Sequence, residues 1–377
     1  MASTATPSLM TRKALNRATL ARQMLLGRAP VDPLTAIEQI GGLQAQLARP
    51  PYIGLWSRLE GFQRDALSRL LHERKVVRAT MMRATLHIVS TRDFLHLRPI
   101  LQPSLDQGVR AVLRERADTV DVEGVLAAAR AFLDEAPRPF EALRDHLLTL
   151  FPGGDERAMG YTVRLRLPLV QVPTDTAWGY PGNASFAVAS SWLGQPLGAD
   201  PSPHALVLRY LAAFGPATPA DVQTWSGLKA LRSTFDALRP ELLVLRDEQG
   251  KELFDLPDAP RPAEDTSAPV RFLPDYDSLV LAHADRSRLI ADVHRPLIFR
   301  PNLRILPTFL VDGLVAGTWS VETKKKVVTL QLEPFHALSK AAREALSQEG
   351  EALLRFVEPE ATRFEMHFVK STARAPA

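Results

Sequence analysis

At 377 residues, with 46% hydrophobic and 23% charged residues, the chain is long enough to bury more than one core, and roughly two to three folded units are expected. The absence of cysteine excludes disulfides, thiolate metal sites and cysteine nucleophiles, and no apolar run approaches the roughly 20 residues that span a bilayer. A net charge of +4 and a sequence pI near 9.4 fit an anionic partner without demanding one.

The opening residues, "MASTATPSLMTRKALNRATL", hold no apolar signal core, so a cytoplasmic protein is expected. A helix over roughly 14–26 ends at Gly27. Asp32 then caps a second helix that starts at Pro33, and a third runs from about Gln63 to Glu73. Between the second and third, "GGLQAQLARPP" sets Gln44 and Gln46 one residue apart, between Gly41-Gly42 and Pro50-Pro51, which permit an extended or turned segment. "KVVRA" and "RATLHIVS" read as two strands, and a period of two puts Arg83, Thr85 and His87 on one face of the second.

Further along, "DVEGVLAAARAFLDE", "PFEALRDHLLTLF" and "DERAMGYTVRLRL" read as helices, with extended segments in "PLVQVP" and "FAVASSW". From His204 an apolar-periodic helix runs to Phe214 and stops at Gly215-Pro216; Thr218 caps the next, with Pro219 at its first position and an end near Gly227. A third helix from about Lys229 to Arg239 leads into a hairpin around "DEQG". Helices followed by a hairpin, met three times, predict an α+β protein of tandem winged helix-turn-helix units. The expected divisions are 1–92, 93–200 and 201–260, then a mixed C-terminal region over 266–377. In that region Asp312-Gly313 is a hairpin turn signal, Lys324, Lys325 and Lys326 sit at the tip or shoulder of a second hairpin, and a helix covers roughly 338–354.

Several stretches together carry a family resemblance: "LQAQ" at 43–46, "MRATLHIVS" at 82–90, "YLAAFGPATPADVQTWSGL" at 210–228, "LPDYDSLVLAHADRSRLI" at 273–290 and "VDGLVAGTW" at 311–319. With them the chain resembles the bacterial winged-helix DNA glycosylases typified by AlkZ and YcaQ. The resemblance implies tandem winged helices around a concavity sized for double-stranded DNA. It also implies a catalytic signature of Gln, one apolar residue, then Gln or Asp. Here the signature is Gln44, Ala45, Gln46, the form of the AlkZ branch, whose enzymes remove bulky N7-alkylguanine lesions and crosslinks, often as self-resistance to a genotoxin.

The chemistry suits that signature. Guanine alkylated at N7 is cationic and already an activated leaving group, so the remaining barrier lies at the sugar. Two carboxamides can grip one water, aim it at C1′, and place fixed dipoles against a developing oxocarbenium ion. Taken without the resemblance, Gln44 and Gln46 read rather as two surface glutamines at a helix end.

Other candidates are more ambiguous. The strand face of Arg83 and His87 could meet DNA phosphate or pair with a neighbouring carboxylate, and the three lysines could neutralise phosphates or simply keep an edge soluble. Asp275 and Asp277 fit a cleft or a loop cap. A metal at His283, Asp285, Asp292 and His294 is not expected, because the spacing is wrong for a zinc helix and Arg286 and Arg288 would repel a cation. No metal and no organic cofactor are expected at all. A monomeric, monofunctional DNA glycosylase is the leading reading. The alternative is a non-catalytic winged-helix transcriptional regulator, disfavoured because "LKALRSTFDALR" is not densely basic for a recognition helix.

Overall fold

The computed structural model describes residues 9–369, and the first eight residues of the N-terminal stretch lie outside them. Helices and several sheets make it an α+β fold, and no described helix is long and apolar enough to cross a membrane.

One order of elements occurs three times. In the first, helix Pro33–Gln39 leads to the short strand Leu43–Gln44, helices Pro50–Trp56 and Arg64–His72, and the hairpin Val76–Thr80 with Leu86–Ser90. In the second, helix Val122–Glu135 leads to Arg138–Pro139, helices Phe140–Leu150 and Glu156–Arg166, and strands Leu169–Gln171 and Ser185–Val188. In the third, helix His204–Phe214 leads to a bridge at Ala217, helices Pro219–Ser226 and Arg232–Leu238, and strands Leu243–Asp247 and Glu252–Asp255. Each time the short strand or bridge pairs antiparallel with the last strand: Gln44 with His87, Arg138 with Phe186, and Ala217 with Phe254.

Local chemistry explains the helix ends. Asp32 accepts from the Thr35 N–H ahead of Pro33. Thr218 and Asp221 form a reciprocal capping box, and Gly227 ends that helix in the left-handed region. Asp312 and Gly313, both at positive φ, turn the chain between Thr308–Val311 and Leu314–Lys324.

Three expectations need correction. Pro50-Pro51 opens a helix rather than a turn, because proline at the first helical positions gives up an N–H that has no partner there. Arg83 is not on a strand face: it and Ala84 adopt positive φ in the turn before Leu86, which breaks the alternation. The first helix, Arg12–Arg22, does not pack as the opening of the first unit. It lies against His204–Phe214, because its buried Arg22 makes a bidentate pair with Asp255 (2.7 and 2.8 Å) and its buried Arg17 pairs with Asp312.

The first and second hairpins merge. Arg78 pairs with Gln171 and Ala79 with Val170, so strands from both sides of residue 92 form one six-stranded sheet. C-terminal strands build a separate five-stranded sheet, covered by helix Lys340–Val357. The core at the centre joins Val77, Val89 and Phe94 to Tyr210, Phe214 and Trp225, so the first unit's hairpin and the third unit's helices share one apolar interior.

Candidate active site

The approach to the glutamines depends on a glycine. Gly42 has φ +87°, and a Cβ there would lie 2.7 Å from Val89 Cγ1 and 3.2 Å from the Ile88 carbonyl oxygen. Without one, the chain draws up against Leu86–Ser90 and pairs Gln44 with His87. The Ala45 N–H then donates to the Leu86 carbonyl (2.7 Å), and Ala45 itself is buried. At the next position the side chain takes over the pairing: the Leu86 N–H donates to Gln46 Oε1 at 2.8 Å. Arg78, buried beneath, holds the same segment by donating from Nε to the Ala45 carbonyl (2.8 Å) and from Nη2 to the Gln46 carbonyl (3.2 Å). Its guanidinium also covers the Tyr180 ring at 4.8 Å.

Gln44 is buried and ends on Arg83, whose Nη2 donates to Gln44 Oε1 at 2.7 Å while Nη1 donates to the Trp225 carbonyl. Both glutamine side chains thus finish on the loop at residues 83–86. Gln46 is exposed and lines a cleft of about 330 Å³ between the first two units, with Thr80, Gln171, Phe140, Phe186 and Arg164 around it. Gln44 is buried and held by Arg83, whereas Gln46 is exposed at the cleft wall.

A family model described as "DNA glycosylase AlkZ-like" matches residues 37–356. The chain belongs to that family. It is a DNA glycosylase, which sets aside the regulator reading and places it in DNA repair. Among solved structures, Streptomyces sahachiroi DNA glycosylase AlkZ is similar with a TM-score of 0.78 at 18% identity, over 95% of this chain and 99% of that one. At such identity the likeness is one of fold. No curated protein matches the chain.

The remaining candidates of this glycosylase fall in different places. His87 is 0% exposed, with Nδ1 3.0 Å from the Thr85 carbonyl, so its ring cannot meet a phosphate. Arg83 is half-buried and gives one donor to Gln44 and one to the Trp225 carbonyl. The causes differ: Arg83 lies in a positive-φ turn, whereas His87 is on a strand paired on both sides inside the six-stranded sheet. Lys325 and Lys326 make the two-residue tip between the paired Lys324 and Val327; all three lysines are exposed, and Lys324 pairs with Glu322 at 2.9 Å. Asp277 is structural, joined to buried Arg58 by two bonds of 2.8 and 2.9 Å and capping the Leu279 N–H. Asp275 lies in another cleft with Arg49 and Arg304, where burial raises its carboxyl above the usual range. Among the described residues no group of three or more His, Asp or Glu is placed to hold a metal. His283 is buried against the Phe214 carbonyl at 3.1 Å.

Arg78 was missed from sequence. Its one signal is a cation in the otherwise apolar run "VVRAT", which becomes meaningful only once the strand is known to be buried.

Burial, reinforced by the Arg83 charge, pushes the His87 ring down to about 3. An unfolded histidine takes its proton near 6.5, so between those values the unfolded chain binds the extra proton. This part of the stability is therefore complete above about pH 6.5 and is lost as pH falls toward about 3, with a slope of at most about 1.4 kcal/mol per pH unit. Thermal melting between pH 7 and pH 4 is expected to show a falling midpoint, with a shallower fall in His87→Asn; identical slopes would remove His87 as a cause.

Proposed function

We propose that the protein is a monofunctional DNA glycosylase that hydrolyses the N-glycosidic bond of N7-alkylguanine in duplex DNA, including bulky natural-product adducts and crosslinks, and that it serves self-resistance to a genotoxin. In this reading it acts as a cytoplasmic monomer without metal or organic cofactor. Gln44 and Gln46 are the catalytic pair. The supporting observation is that both carboxamides are seated by donors on one loop, Arg83 on Gln44 and the Leu86 N–H on Gln46, and that Gln46 lines a cleft.

Each glutamine oxygen already accepts one protein hydrogen bond and retains a second lone pair. That lone pair can accept a hydrogen bond from the attacking water and orient it toward C1′, while the amide dipole faces the positive charge that grows on the deoxyribose. No general acid is needed, because N7-alkylation has made the base a cationic leaving group. We read the three repeated units as winged helices that surround the duplex, since each carries the helix–strand–helix–helix–hairpin order in which the short strand or bridge pairs back.

The direct test is to incubate the protein with genomic DNA treated with a methylating agent and with DNA carrying a bulky N7 adduct, and to follow the released bases. Free N7-alkylguanine is the expected product; release of unrelated bases only would overturn the specificity.

Lys324, Lys325 and Lys326 are proposed to lie along the DNA backbone, on the strength of three exposed cations at one hairpin tip. Changing all three to alanine is expected to weaken binding to damaged and undamaged DNA alike and to flatten its salt dependence, modestly for Lys324, whose charge is already paired with Glu322. An unchanged salt slope would leave the lysines as guards of an exposed hairpin.

A further inference from the structure

We propose that Arg83 is a positioning residue for the excision reaction: it dictates which end of the Gln44 carboxamide faces the reacting sugar and ties that setting to the third helix–hairpin unit. This rests on the reading of Gln44 as catalytic.

A terminal carboxamide turns about a broad, two-fold torsion, so an unrestrained glutamine presents its oxygen or its nitrogen with little preference. Arginine removes that freedom because it has donors only. With Nη2 at 2.7 Å, the atom it meets on Gln44 has to be the oxygen, and the amide NH2 is turned away. His87 is the ladder partner of Gln44 and its ring is fully buried, so the strand beneath Gln44 is fixed inside the sheet.

The other end of the guanidinium fixes Arg83 itself. Nη1 donates to the carbonyl of Trp225, in the last turn of helix Pro219–Ser226, where carbonyls lack helical partners and carry the negative end of the dipole. One planar group therefore bridges a side chain of the first unit and a helix end of the third, which a lysine ammonium on its flexible stem does not reproduce. The backbone is shaped for this. Arg83 (φ 53°) and Ala84 (φ 58°) are consecutive non-glycine residues in the left-handed region, a costly conformation that persists where the surroundings over-determine it. Gly227 makes room: a Cβ on it would lie 2.2 Å from Ser104 Oγ and 3.6 Å from Arg83 Cα.

The experiment compares Arg83→Met, Arg83→Lys, Gln44→Ala and the Arg83→Met/Gln44→Ala double variant in single-turnover excision with enzyme in excess, together with DNA affinity at several salt concentrations and thermal melting. Arg83→Met is expected to slow excision roughly 10- to 100-fold with affinity and salt slope unchanged, and the double variant to be little slower than Gln44→Ala alone. Arg83→Lys keeps the charge but is expected to be slow as well, and it carries the test where Arg83→Met melts below the assay temperature. Fast excision in Arg83→Lys, or weakened binding and a reduced salt slope with normal excision, would make Arg83 a simple cation and overturn the proposal. So would losses that multiply in the double variant. A Gln44→Ala enzyme at the wild-type rate refutes the catalytic reading itself, and it is scored separately from the Arg83 arms.

Discussion

Replacing Gln44 or Gln46 with alanine is expected to slow single-turnover excision of N7-alkylguanine by 10²-fold or more, about 3 kcal/mol, while the affinity for lesion-bearing DNA stays nearly constant. On the proposed reading the affinity is spared because the amides act on charge that develops only in the transition state. A residual rate remains, since an N7-alkylated base departs slowly by itself. The two losses should not add if one water is shared by both amides, as proposed, because it is misplaced when either is gone. The variants differ in a second respect. Gln44 is buried on Arg83, so its removal strands a donor and should lower stability by about 1–3 kcal/mol, whereas exposed Gln46 gives up only the Leu86 N–H at a cleft wall. Gln46→Asp supplies a carboxylate in place of the amide and is expected to remain active on simple N7-alkylguanine. Wild-type rates in both alanine variants, with intact melting, would return the segment to a plain surface turn.

The largest loss of stability is expected from Asp277→Ala. Arg58 and Asp277 have side chains 1% and 2% exposed and share two bonds of 2.8 and 2.9 Å. Removing the carboxylate leaves an uncompensated buried guanidinium, which costs about 3–5 kcal/mol, and deletes the cap on the Leu279 N–H. The effect reaches the site. Arg58 and Ser57 follow helix Pro50–Trp56 directly after the glutamine segment, and Ser57 donates to the Phe272 carbonyl, so this junction anchors the segment to the C-terminal sheet. Denaturant titration is expected to show a clearly lower midpoint for Asp277→Ala. Replacing both partners, Arg58→Met with Asp277→Leu, should recover much of the loss, because no charge is then left buried. An unchanged midpoint in Asp277→Ala would mean that the pair contributes nothing net.

What the sequence by itself determined was local or carried by motifs. Asp32-Pro33, Thr218-Pro219 with Gly227, and Asp312-Gly313 set element ends correctly, because caps and tight turns are decided within a few residues of chain. The joint presence of "LQAQ" and the other stretches pointed to the glycosylase family that the family model then matched. Tertiary structure alone decided the rest. Helix Arg12–Arg22 goes to the third unit because Arg22 meets Asp255, 233 residues away, and no periodicity encodes a partner at that distance. The first two hairpins merge through Arg78 and Gln171, which are ordinary strand residues until they are paired. Arg83 and His87 shared one face in the strand pattern, open to phosphate or to a neighbouring carboxylate, yet Arg83 sits in a positive-φ turn and ends on Gln44, while His87 is buried on a strand paired on both sides. Sequence patterning assigns faces by assuming a regular backbone, and at this loop the backbone departs from regularity because a cation is held between a glutamine and a helix end that only folding brings together.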